Sequence, residues 1–410
     1  MDKRLKKFAK LIVKVGVNVQ KGQLLVINSP VECKEFTRVL VEEGYKAKAS
    51  RVMVRWNDDL VNKSYYSHAS MKTITEVPAY FVEQYQYIVD QKAAVISISA
   101  PTPGLLKKIK PEKLQAEAKA VNEKVGFYRR HMMANGAQWC VVAYPTENWA
   151  KKVFPEIKSK KAAVKQLLDA ILTASRVTFD NDPVAEWQTH MQTLAAHNQK
   201  LNDYRFKTLH FKNGLGTDLT IELVEDHIWA GGGEYSKNNV YFAPNIPTEE
   251  TFTMPHSRKV NGTVYATKPL NYQGKLIEGF SLTFKNGKVV AYQAAKEEET
   301  LKGLLELDEG SSRLGEVALI SHNSPISNAN ILFFNTLFDE NASCHLALGN
   351  AYSMNIKNGH TLSEEELKEL GYNKSLVHED FMFGSADMEI VGTKKDGTKV
   401  VVFQNGNFVF

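Results

Sequence analysis

Cysteine is scarce: Cys33, Cys140 and Cys344 are odd in number, far apart and in no CxxC pair. That pattern speaks against a disulfide framework and fits a reducing, cytoplasmic setting. Long apolar runs are missing as well. No stretch approaches the roughly 20 residues that span a bilayer, and the amino terminus has neither the uninterrupted apolar core nor the small-residue cleavage site of a secretory signal. An excess of one charge is also lacking, because 51 Lys and Arg are interspersed with 46 Asp and Glu for a net charge of +5. Neither nucleic acid nor a membrane surface is demanded as a partner. No GxGxxG follows the first strand-like run, so a dinucleotide fingerprint is absent. There is no internal repeat and no low-complexity segment.

What is present is ordinary globular composition, 43% hydrophobic and 24% charged over 410 residues, enough for two or three domains. Leu5, Phe8, Leu11 and Ile12 recur at helical intervals between lysines, predicting an amphipathic first helix. The runs "QLLVIN" (23–28), "SRVMVRW" (50–56), "AAVISISA" (93–100) and "QWCVVAYP" (138–145) read as strands, with helical patterns at 32–45 and 162–175. An α/β layer follows from that alternation. Another helix opens after Asp182 and Pro183, and the domain boundary is placed there: residues 1–182 as an α/β domain and 183–410 as a strand-rich domain, α+β over the whole chain. In the second part, "KTLHFKNGLGTDLTIELVE" and "SLTFKNGKVVAYQA" carry the Gly and Asn-Gly turns of β-hairpins. "EEETLKGLLELDEGSSRLGE" interposes a helix before the next apolar run.

Acidic and histidine residues repeatedly adjoin these strands and turns. Glu249 and Glu250 lie in "PNIPTEETFTMP", Glu316 opens the apolar "GEVALI", His345 and Tyr352 bracket "CHLALGNAY", and His378 and Asp380 stand at the head of "HEDFMFGS". Taken singly, each also fits a plain role as a solvated strand end, a hydrogen-bonded core histidine or a packed tyrosine. On an extended strand, however, His378 and Asp380 share one side and Glu379 points to the other. Carboxylates and imidazoles without thiolates suit zinc, cobalt or manganese, and the set exceeds what one tetrahedral ion uses. Two ions about 3.5–4 Å apart, sharing a carboxylate and a bridging hydroxide, would accommodate it.

In order and spacing, these four segments resemble the metal-site segments of the M29 metallo-aminopeptidases, the aminopeptidase T group, nearest its PepS and AmpS branch. The likeness runs the length of the chain and includes "KVGVNVQKGQ" near the start. It implies Glu250, Glu316, His345, His378 and Asp380 as ligands of two divalent ions (Zn, Co, Mn or Mg), with Glu316 bridging and Tyr352 at the metal centre as ligand or oxyanion donor. It also implies removal of the amino-terminal residue from short peptides, and a homodimer. Glu249, next to a ligand, is the candidate general base. A dinuclear phosphoesterase is the alternative built from similar ligands.

Overall fold

The strand-like runs of the first half assemble into a parallel sheet in the computed structural model, which describes residues 2–410. Strand order across this sheet is Arg51–Asn57, Leu24–Pro30, Ala94–Ser99, Trp139–Ala143 and Asn245–Ile246, every pair parallel. The central strands are buried without alternation, Leu24 to Ile27 and Ala94 to Ile96 in succession, because helices cover both faces of such a sheet. The first helix, Lys3–Leu11, is capped by Asp2, whose side chain accepts from the Arg4 amide, and buries Leu5, Phe8 and Leu11. The expected later helices run over Lys34–Lys46 and Lys160–Ala174. Asp59–His68, Ala79–Asp90 and Pro111–Met133 are further helices between the strands.

The chain divides into two compact units, residues 1–190 with 233–247 and residues 191–232 with 248–410. The division falls within the helix that begins at Pro183, Pro183–Tyr204, and residues 233–247 include the last strand of the parallel sheet.

The second unit contains an eight-stranded sheet and a four-stranded one. Both expected hairpins belong to the larger. Phe206–Lys212 pairs antiparallel with Asp218–Leu223, and Ser281–Lys285 with Lys288–Gln293. Asn286 and Gly287 turn the second hairpin with φ of 51° and 79°, the pair of positive φ values that this type of tight turn needs. The helix Glu298–Leu305 then leads to the smaller sheet. Its order is Thr251–Thr253, Leu314–Leu319, His345–Gly349 and His378–Met382, antiparallel throughout. Below, the last three are called the Glu316, His345 and His378 strands. Val317, Leu346, Leu348 and Phe381 join one continuous apolar core with Phe211, Ile221, Leu282 and Ile390 from the larger sheet. One face of the small sheet is thereby fixed against the core, which leaves the other to carry chemistry.

Candidate metal centre

Strand register decides which side chains meet. Glu316 lies opposite Ala347, and Ala347 opposite Asp380; His345 lies opposite Ala318 and Met382; His378 lies opposite Gly349. Cross-strand partners share a face, as do residues two apart on one strand. Glu316, His345, His378 and Asp380 therefore project from a single face, and Ala318, Ala347 and Gly349 between them leave room above the sheet. Gly349 has φ of 104°, and a Cβ there would meet the Val377 carbonyl at 2.1 Å, so only glycine lets the chain before His378 come this close. Glu250, immediately before the first strand, completes the set from the sheet's other edge.

The ligand atoms converge in two groups that share Glu316. Glu250, Glu316 and His345 form one and Glu316, His378 and Asp380 the other, with all atoms of a group within 4.8 Å of one another. His345 Nε2 lies 3.3 Å from Glu316 Oε1 and 3.5 Å from Glu250 Oε2. His378 Nε2 lies 3.4 Å from Asp380 Oδ1 and 3.7 Å from Glu316 Oε2. His378 donates from Nδ1 to the Asn350 carbonyl at 2.6 Å, which fixes its tautomer and leaves Nε2 free to bind. The Tyr352 ring centroid is 4.7 Å from that of His378.

The electrostatics call for a cation. No Lys or Arg pairs with Glu250, Glu316 or Asp380 among the described residues. Asp380 Oδ1 is buried without a hydrogen bond. Burial, with Glu316 and Asp380 adding to it, pushes Glu250 up to about 7. For His345 and His378 burial pulls the other way, but the surrounding carboxylates outweigh it and raise them to about 9 and about 10. Burial also raises Asp380, yet the imidazoles of His378 and His345 bring it below its ordinary value. Buried carboxylates and imidazoles left to compensate one another are the donor set that divalent zinc, cobalt or manganese takes. The residues present thus fit a pair of ions, with Glu316 common to both groups.

Sequence reasoning missed Glu340. It opens a short 3-10 turn, Glu340–Ala342, just before the His345 strand, and its carboxyl is held well above the ordinary range by burial and by the charges of Asp380, Glu250 and Glu316. A carboxylate five residues before a ligand, at the mouth of an apolar strand, was the available signal. Glu249 is in neither group of converging ligand atoms; its backbone amide donates to Asn341 Oδ1 at 2.8 Å. Tyr352 has its phenol pKa pushed up by burial, then by Glu316, Asp380, Glu340 and Glu250, so it remains a neutral hydrogen-bond donor facing the cluster.

A cavity of about 190 Å³ adjoins the ligands. Leu270, Phe334 and Met382 give it an apolar side, and Asp339, Glu340 and Glu379 an acidic one, beside His378 and Asp380.

Residues 1–408 match the family described as thermophilic metalloprotease (M29). Similar curated proteins include "Aminopeptidase 2" of Geobacillus stearothermophilus, 46% identical over 100% of this chain and 98% of that one. "Aminopeptidase AmpS" of Bacillus subtilis is 44% identical over 100% and 99%. Among solved structures, wild-type AmpT from Thermus thermophilus superposes with a TM-score of 0.91 at 36% identity, covering 100% of this chain and 99% of that one.

Proposed function

The chain belongs to the thermophilic metalloprotease (M29) family, and from that premise we propose that it is an aminopeptidase working through two divalent ions held by Glu250, Glu316, His345, His378 and Asp380. The observation that carries this reading is the shared face of the small sheet: the register brings four ligands together, and Asp380 Oδ1 lies buried there without a hydrogen bond. Glu316, common to both groups of ligand atoms, would serve both ions. When bound, such a pair of ions supplies Lewis acidity for the scissile carbonyl and a nucleophilic water at neutral pH.

The chain's own groups do the remainder. Asn350 orients His378 through its carbonyl. Tyr352, neutral and next to His378, donates a hydrogen bond to the oxygen that gains charge in the transition state. We assign the general base to Glu340 in preference to Glu249, because Glu340 lines the cavity beside His378 and Asp380 and Glu249 does not. It takes the proton of the attacking water and returns it to the leaving amine. Glu250 and Asp380 give the free α-amino group of the substrate a negative surrounding. The same acidity disfavours a phosphoesterase, since Asp339, Glu340 and Glu379 around the cavity repel a phosphate.

Substrates on this reading are short peptides with a free amino terminus, hydrolysed by a cytoplasmic homodimer. No described helix is long and apolar enough to cross a membrane, and the three cysteines are free and buried. Hydrolysis of leucyl p-nitroanilide before and after chelation tests the activity; light scattering tests the dimer.

A further inference from the structure

We propose that the outer edge of the His378 strand binds the main chain of the substrate, holding a peptide beside the ligands as an added strand; the proposal rests on the aminopeptidase reading above. His378–Met382 is the last strand of its sheet. Two bonds at its ends fix which main-chain groups face inward. The Phe383 amide donates to the Cys344 carbonyl at 3.0 Å, and the Asn350 amide to the Val377 carbonyl at 2.6 Å. Bonded pairs alternate along an antiparallel ladder, so between these ends Leu346 bonds Phe381 and Leu348 bonds Glu379. The N–H and C=O groups of His378, Asp380 and Met382 therefore point outward, away from the sheet.

One of these outward groups is taken. The Met382 carbonyl accepts the Thr267 amide at 2.9 Å, which begins a second pairing alongside the strand. An antiparallel continuation brings Pro269 opposite Asp380, and proline has no N–H to give the Asp380 carbonyl. The pairing stops there, and Leu270–Tyr272 pairs with Lys275–Ile277 instead. The space left by this parting is the cavity of about 190 Å³, lined by Pro269, Leu270 and Asn271 from that segment and by His378, Asp380 and Met382 from the strand. Among the described residues, no main-chain group of another residue bonds the N–H or C=O of His378 or Asp380. An unpaired edge is a template for an extended chain. Here the open groups belong to the same two residues whose side chains converge as ligands, so a peptide paired with them lies next to the metal centre. Such binding uses the groups that every peptide carries and leaves the side chains free to vary.

Depsipeptides, in which an ester oxygen replaces one N–H, test this with the metal-loaded enzyme through release of leucine. Leucyl-trialanine amide is compared with copies carrying the ester at the second or at the third linkage, both beyond the scissile bond. Successive N–H groups of an extended chain point to opposite edges. One ester should therefore lower kcat/KM by about tenfold, and the other should leave it within about threefold. An uncleavable analogue, its scissile amide reduced to a methylene-amine link, should slow hydrogen exchange over residues 378–382 when bound. Equal kcat/KM for all the peptides, equal losses from both esters, or unchanged exchange over that strand overturns the proposal. Leucyl p-nitroanilide has no peptide chain beyond the scissile bond and separates the two readings. Its hydrolysis beside any of those results defeats this proposal alone; absence of hydrolysis of every aminoacyl substrate defeats the aminopeptidase reading and the proposal with it.

Discussion

His378 and Asp380 stand two residues apart on one strand with Nε2 and Oδ1 3.4 Å from each other, while Glu379 between them faces the other way. The alternation of a single strand thus sets His378 and Asp380 on the face shared with Glu316 and His345, and Glu379 on the face of Leu348 and Phe381. Asp380→Asn should lose most metal affinity and turnover, by orders of magnitude, whereas Glu379→Gln should keep its metal content. Metal analysis of both variants after dialysis checks the difference. A folded Glu379→Gln as depleted of metal as Asp380→Asn would show that the two faces are not independent.

Glu316 belongs to both groups of ligand atoms. Glu316→Ala should therefore lower the occupancy of two ions, and Glu250→Ala chiefly that of one. Titration of metal-free variants with cobalt or zinc, followed by calorimetry, distinguishes these outcomes. Two tightly bound ions in Glu316→Ala would remove the bridging role.

With Glu340 as the proposed general base, its role is separable from metal binding. Glu340→Gln should reduce kcat by about 10²–10⁴-fold, the usual contribution of acid–base catalysis, with metal stoichiometry intact; Glu249→Gln should do far less. The reverse ranking would return the role to Glu249.

Protons and metal compete for the same atoms. In the metal-free protein Glu250 is lifted from 4.5 to about 7, and His345 and His378 from 6.5 to about 9 and about 10. Each binds its proton more tightly folded than unfolded, so each adds stability that is complete below the unfolded-state pKa and lost as pH rises through the folded one. Asp380, lowered from 3.8, has the opposite sign but is ionised in both states across the neutral range and contributes no slope there. The Tm of metal-free protein should fall between pH 6.5 and 10, and the rise in Tm on adding metal should grow over the same window, since binding displaces those protons. Thermal melts at pH 6.5, 8 and 9.5 check both, and an equal metal-induced rise at all three contradicts the linkage.

Much of the scaffold was legible because its signals are local. The apolar runs near Leu24 and Ala94 read as buried strands, the Asn286-Gly287 turn as a hairpin, and the alternation around Glu379 placed His378 and Asp380 on one side. Helices with no core-facing stripe were invisible: Asp59–His68 has no buried residue and Ala79–Asp90 only Ile88, so neither carries a strong apolar period. The meeting of Glu250 with His345 could not be read from spacing at all, being set by strand order. Glu340 could not be singled out because a carboxylate on a short turn looks like surface until the fold closes over it, and Glu249 stood out for its place next to Glu250.

Metal titration of stripped protein, with leucyl p-nitroanilide hydrolysis followed in the same samples, tests most directly the claim that the shared face of the small sheet is a dinuclear catalytic centre. The expected result is negligible hydrolysis without metal and activity that saturates at two ions per chain. Full hydrolysis by metal-free protein, or saturation with no ion bound, would contradict it.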